Sequence, residues 1–182
     1  EDTVTDREVG KQVNILKLEL THFGKFHLKT ITFTSGLNIV YGKNEAGKST
    51  IHAFVRSMLF GIPDTEEGNE RYSHYLPWET PHDFCGRMWI KKDDKVYRIE
   101  RNFLRPQPTV RVFDDETDES LQPAKQHLRQ ILSGLTETSY LNTICIEQLK
   151  SATDPQLAKE LEDMAVNASQ SKNLNIDVKQ AK

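Results

Sequence analysis

Eight residues, Gly42-Lys-Asn-Glu-Ala-Gly-Lys-Ser49, match the pattern G-x-x-x-x-G-K-[ST], whose types and spacing suit one chemistry: holding a chain of phosphates. Gly42 and Gly47 allow backbone angles and a close approach that a side chain would block, so successive N–H groups turn inward around phosphate oxygens. Lys48 supplies a mobile ammonium for the terminal phosphates, which makes it the candidate catalytic cation, and Ser49 offers a hydroxyl ligand for Mg²⁺. A helix starting near Lys48 adds unpaired N–H groups and about half a positive charge of dipole. The candidate contacts to a magnesium nucleotide are therefore Gly42, Lys43, Asn44, Glu45, Ala46, Gly47, Lys48, Ser49 and Thr50.

Loops of this kind work with an acidic strand that holds the metal from the other side. One stretch has that form, Val110-Arg-Val-Phe-Asp114-Asp-Glu116. A central parallel strand is buried on both faces and continuously apolar, whereas Arg111 interrupts this run. It reads instead as a meander strand entering an acidic turn. Asp114 and Asp115 remain metal ligands in one alternative, a complete small P-loop kinase or NTPase. Leu132-Ser-Gly-Leu135 resembles the start of an LSGG signature but lacks its second glycine, and Gly134 suits a helix end.

Hydropathy patterning predicts the elements that carry the loop. Residues 14–20 and 28–34 alternate apolar and polar in their second halves, as half-buried strands do, and are expected to pair antiparallel. After Ser35-Gly36, the short apolar run Leu37-Asn-Ile-Val-Tyr41 reads as a buried strand leading into the loop. From Lys48 to Phe60, Ile51, Phe54, Val55, Met58 and Leu59 share one helical face, and Gly61-Ile-Pro63 ends it. Residues 64–82 read as a long loop in which Trp78 pins Pro77-Trp-Glu-Thr-Pro81 to the core. Residues 84–92, 95–103 and 109–113 form an antiparallel meander, and Pro123 opens a helix through Leu132. Residues 143–148 read as a further buried strand, and Asp154-Pro155 starts a last helix.

At 182 residues, 36% hydrophobic and 28% charged, the chain suits one domain or two small lobes with a real core. It has no run of about 18 apolar residues and an acidic start, so the expectation is a cytoplasmic protein with no membrane partner. Cys85 and Cys145 lie far apart and read as reduced thiols; His74, His82 and Cys85 share a region without zinc spacing. Net charge is −3, which argues against a pure DNA-binding module, yet residues 82–111 hold eight Lys/Arg against four acids. Alternation puts Met88 and Ile90 inward and Arg87, Trp89 and Lys91 outward, with Arg98 beside them. Arg87, Lys91 and Arg98 are the candidate DNA contacts, reaching phosphates without reading sequence.

Together the antiparallel pair, Ser35-Gly-Leu-Asn-Ile39, the phosphate loop and a helix ending Leu59-Phe-Gly61 resemble the N-terminal lobe of SMC- and SbcC-type ATPase heads. With His22-Phe-Gly-Lys-Phe26 before the second strand, the likeness is nearest to the YhaN-like branch and covers residues 14–175. The resemblance implies an α/β fold, a P-loop NTPase N-terminal lobe with an antiparallel β-meander, of the ABC-type ATPase head class. It implies a polar extension over residues 1–13, the lobe over 14–153 and a helical segment over 154–182 leading toward a coiled coil. It implies that Gln148 touches Mg²⁺ and the attacking water, and that Lys25 stands where related heads often carry an arginine reaching the nucleotide. The acidic strand, signature loop and switch histidine are then expected in a C-terminal lobe. ATP binding would join two heads as a homodimer, and DNA and an SbcD-type nuclease are the implied partners.

Overall fold

The computed structural model describes residues 13–43 and 45–144. The chain divides into two compact units, residues 1–134 and 135–182. The first is built on β1 (Val13–Phe23), β2 (Phe26–Thr32), β3 (Cys85–Lys92), β4 (Lys95–Asn102), β5 (Thr109–Asp114) and β6 (Glu119–Ser120). These make a six-stranded antiparallel sheet in the order β2-β1-β3-β4-β5-β6. The expected hairpin and meander are thus one sheet, because β1 pairs with β2 along one edge and with β3 along the other.

Strand alternation separates the two faces of that sheet. Leu18, Leu20, Phe23, Met88, Ile90, Ile99 and Val112 are fully buried on the inner face. Helix α1 (Lys48–Phe60) lies across this face and buries Ala53, Phe54, Ser57, Met58 and Leu59; Phe54, Met58 and Leu59 belong to the expected apolar stripe, whereas Ile51 and Val55 are only half-buried and the small Ala53 and Ser57 are buried instead. Gly86 makes the close approach possible, since a Cβ there would stand 2.4 Å from Phe54 Cε2 and 2.8 Å from the Glu19 carbonyl oxygen. Phe23 stacks with Tyr75 at 5.3 Å between ring centroids and meets Phe54 at 5.1 Å edge-on, beside Phe84 and Phe103.

The C-terminal end of α1 is met by a cation from the sheet. Arg101 Nε donates to the Met58 carbonyl at 2.7 Å and a terminal nitrogen to that of Leu59 at 3.2 Å. Burial lowers its pKa to about 10, so it remains a cation at neutral pH, facing the negative pole of the helix. Lys92 does the same for α3 (Ala124–Ile131), donating to the Gln130 carbonyl at 2.6 Å.

Residues 64–82, read as a loop, contain the helix α2 (Glu66–Tyr75). Thr65 caps it by accepting from the Gly68 N–H at 3.1 Å, and Glu66 and Glu67 occupy its first turn. Its buried residues are Gly68 and Arg71, so hydropathy gives no helical stripe. Arg105 ties its start to the α1 connection, donating to the Pro63 carbonyl at 3.2 Å and lying over the Tyr72 ring at 4.5 Å. Trp78 is 80% exposed, contrary to the expected core anchor; buried Pro77 packs beside it instead.

The run Leu37–Tyr41 is not a strand, and its residues are exposed: Leu37 87%, Ile39 74% and Tyr41 90%. An apolar run becomes a buried strand only where neighbours flank it, and none of β1 to β6 pairs with this one. Asn38 fixes the preceding turn, accepting from the Thr34 N–H at 2.9 Å and donating to the Thr34 carbonyl at 2.8 Å.

In the second unit, α4 (Glu137–Ser139) is capped by Thr136, and Tyr140–Ile144 continue as a π-helical turn. The strand expected from residue 143 therefore does not start there, because Thr143 turns its hydroxyl back to the Ser139 carbonyl at 2.5 Å. Its remainder, and the helix expected from Asp154, lie outside the described residues. No helix among the described residues is long and apolar enough to cross a membrane.

Gly86→Ala should lower the unfolding free energy by about 1–3 kcal/mol, the usual effect of overpacking, because Phe54 and the β1 backbone both obstruct the new methyl. Urea denaturation of the two forms tests this; equal midpoints would mean that α1 does not rest on Gly86.

Candidate functional site

The phosphate loop ends where α1 begins. Gly47 is buried, with φ 100° and ψ 16°, a left-handed conformation that glycine adopts without strain, and Glu45 is also at positive φ, 66°. The Ala46 N–H donates to the Lys43 carbonyl at 3.1 Å, which closes the turn. Lys48 curls back over the loop, its Nζ 2.6 Å from the Gly42 oxygen and 2.9 Å from the Lys43 oxygen.

The first turn of α1 differs from those of α2 and α4. Threonine side chains cap those two helices, while α1, like α3, has neither a side-chain cap nor an acid in its first turn. Its leading N–H groups thus keep their donors and the positive end of the dipole for an anion. Ser49, in that turn, is exposed. This donor set fits a nucleotide's phosphates, with the Ser49 hydroxyl as an oxygen ligand for Mg²⁺ and Lys48 as the adjacent cation.

The tip of the β1–β2 hairpin reaches the same place. Lys25 Nζ donates to the Glu45 carbonyl, so the structure brings Lys25 to the loop with Lys43 and Lys48. Phe26 supports the loop from beneath: a Cβ on Gly47 would lie 2.5 Å from Phe26 Cζ and 2.8 Å from Lys25 Cε. Hydropathy does not single out Phe26. The signal was the two-residue turn Gly24-Lys25 between the register partners Phe23 and Phe26, which fixes where the next aromatic side chain stands. Asn44 and Gln148 lie outside the described residues.

Neither aspartate of the alternative metal strand is committed to the phosphate loop. Asp115 Oδ1 accepts from Trp89 Nε1 at 2.9 Å and lies 3.3 Å from Arg98, both on the outer face, opposite α1. Asp114 accepts from the Glu116 N–H at 3.1 Å and pairs with Lys95 at 3.6 Å. The strand β5, which ends at Asp114 just before Asp115, is antiparallel to β4 and β6, so it is not a central parallel strand.

Arg87, Lys91 and Arg98 stand on the outer face as alternation predicts, but beside acids. Arg87 pairs with Glu19 at 3.6 Å and Glu100 at 3.4 Å, and Lys91 stands 4.0 Å from Asp94. Arg98 pairs with Asp118 at 2.5 Å and Glu100 at 3.1 Å; the Asp118 hydrogen bond leads the causes that raise its pKa. Cys85 is half-buried on this face, and burial, then the charge of Asp83, raise its pKa against the opposing effect of Arg87, so it stays a thiol at neutral pH. The described residues hold no group of three or more His, Cys, Asp or Glu side chains placed to bind a metal.

Two comparisons bear on this site. A 56-residue stretch is 43% identical to the uncharacterized protein YhaN of Bacillus subtilis (strain 168), covering 30% of this chain and 6% of that protein. The chain thus matches only a small part of that relative's length. The family model described as an AAA domain matches residues 13–165, which include the sheet, the phosphate loop and α1. With a glycine loop, an uncapped helix start and two lysines at one place, this chain belongs to the AAA domain family of P-loop ATPases.

Proposed function

We propose that this chain is the ATP-binding N-terminal half of an SMC/SbcC-like ATPase head that acts in DNA repair or chromosome maintenance. The observation that carries this reading is the exposed apolar run Leu37–Tyr41 next to the loop. A P-loop normally follows a buried strand; here that run has the composition of one without a neighbour among the described strands. A C-terminal lobe of the same protein would supply the neighbour, together with the acidic metal-binding strand and the signature loop. The engagement of Asp114 and Asp115 elsewhere favours this over a small kinase or NTPase.

Bound between the loop and Lys48, ATP would present its terminal phosphate to a partner head, with water as acceptor. Lys48 would exchange its carbonyl partners for phosphate oxygens, and Lys25 would do likewise. Ser49 would hold Mg²⁺, and Gln148 would orient water and complete the metal shell. Head-to-head dimerisation, cytoplasmic residence and an SbcD-type nuclease partner belong to the same reading.

Lys48→Ala should weaken MgATP binding about ten- to a hundredfold, because charge-assisted hydrogen bonds contribute roughly 1.5–3 kcal/mol. Calorimetric titration showing equal affinity for both forms would remove the loop from the site. The 182-residue chain alone should hydrolyse ATP no faster than its Lys48→Ala form, and the separately expressed C-terminal lobe should restore turnover, since hydrolysis needs a fully held metal and charge stabilisation beyond the phosphate. Steady turnover by the chain alone, lost in Asp114→Asn or Asp115→Asn, would favour the kinase or NTPase reading.

DNA contact through Arg87, Lys91 and Arg98 would require them to exchange carboxylates for phosphates. Neutralising all three should then weaken DNA binding by the assembled head and flatten its salt dependence. Unchanged salt slopes would leave these residues as structural ion pairs only.

A further inference from the structure

The geometry points to Phe26 as a positioning residue of the phosphate loop: its ring sets the Gly47 bend that aims the loop's N–H groups. The inference rests on the proposed phosphate site and adds what holds that site in shape. Glycine at φ 100° is one of many conformations open to it, so its surroundings must select it. From within, the Lys48 and Ala46 hydrogen bonds and the Ile51 N–H donating to the Gly47 carbonyl at 3.0 Å hold the loop, and the hairpin tip packs on it from outside. The three atoms nearest to a Cβ at Gly47 all belong to the hairpin tip: Phe26 Cζ at 2.5 Å, Lys25 Cε at 2.8 Å and Phe26 Cε2 at 2.9 Å.

The tip is itself held from behind. The Gly24 N–H donates to the Tyr75 carbonyl at 2.7 Å, at the end of α2. Gly24, at φ 56°, packs so closely that a Cβ would stand 2.9 Å from Thr50 Cγ2 and 3.3 Å from Tyr75 Cδ1. Phe23, the register partner of Phe26, is fully buried against Phe54, Tyr75, Phe84 and Phe103. Position is thus passed from core to Phe23, through the turn, to Phe26 and Gly47.

Lys25 and Phe26 play different parts here. The ammonium of Lys25 sits on a flexible stem and is free to leave the Glu45 carbonyl for a phosphate. The Phe26 ring has no such reach and keeps the bend while charges exchange around it. A loop shaped before the nucleotide arrives spends less binding energy on ordering, so removing the ring should appear as lost affinity.

The test uses the whole 182-residue chain in wild-type, Phe26→Ala and Lys48→Ala forms. Titration with MgATP is paired with hydrogen exchange at the Gly47, Lys48 and Ser49 amides and at the Ile99 and Val112 amides of the sheet. Phe26→Ala should bind MgATP about five- to tenfold more weakly and speed exchange in the loop while the sheet stays protected. If Phe26→Ala does not fold, Phe26→Leu, which keeps an apolar side chain but withdraws Cζ, should show the same pattern. Wild-type affinity in the Phe26 variants, with Lys48→Ala still weak, would overturn the positioning role and leave the phosphate site standing. Equal acceleration in loop and sheet would reduce Phe26 to a stability residue and overturn the role as well. No difference between wild type and Lys48→Ala would overturn the phosphate site and this inference with it.

Discussion

Helix α1 can lie against the sheet because Gly86 offers no Cβ where the Phe54 ring enters, and the geometry of the phosphate loop depends on that contact. Thirteen residues at 1.5 Å rise make α1 about 20 Å long, so its seat on the sheet also sets where its N-terminal N–H groups point. Arg101 fixes the far end. Taking a guanidinium out of water is costly, as its lowered pKa records, and the Met58 and Leu59 carbonyls with the negative helix pole offset that cost. The helix is thus bounded by a cation at one end and a site for anions at the other. Its negative pole is met by Arg101, and its positive pole would be met by a bound anion.

How much of this was legible in the sequence depended on whether the deciding interaction was local. The bounds of α1 were readable because the glycine loop, the apolar stripe and the stop at Gly61 lie within the helix or next to it; the Gly61 N–H donates to the Ser57 carbonyl at 2.8 Å. Helix α2 was missed because its inner side is Gly68 and Arg71, so packing there is done by an absent side chain and a buried cation. The placement of Lys25 came from family likeness, while its distance from the loop depends on a hairpin folding over a segment 20 residues away. Trp78 was misplaced because aromatic character alone does not say whether a proline-flanked segment turns inward.

The outer face shows why a charge count over a segment misleads. The basic run of the meander is threaded so that its outer-face cations meet acids from other strands or turns: Glu19, Arg87, Glu100 and Arg111 alternate across β1, β3, β4 and β5. Arg111 stands 3.0 Å from Glu100, and Lys17 stands 3.6 Å over the Trp89 ring. Exposed pairs of this sort contribute little individually, typically about 0–1 kcal/mol, but they mute the field that a basic patch would project. Electrostatic attraction for a polyanion on this face therefore requires the pairs to open, which sets a penalty against weak, unspecific binding.

The two ends of the phosphate loop are held unequally. Downstream, α1, the hairpin tip and the aromatic core fix Gly47 from several sides. Upstream, Asn38 secures a turn, but Leu37, Ile39, Val40 and Tyr41 face outward, and a cleft of about 290 Å³ lies between this run and residues 31–33. Burying such side chains contributes roughly 1.5–3 kcal/mol each, so a strand placed alongside would gain enough to order the whole run. Gly42 follows Tyr41 directly. On the proposed reading, whatever grips that run also fixes the first residue of the loop, so closure of the sheet and closure of the nucleotide site become one event. Binding free energies so linked are reciprocal: a nucleotide that orders the loop must favour the partner that orders the strand by the same factor.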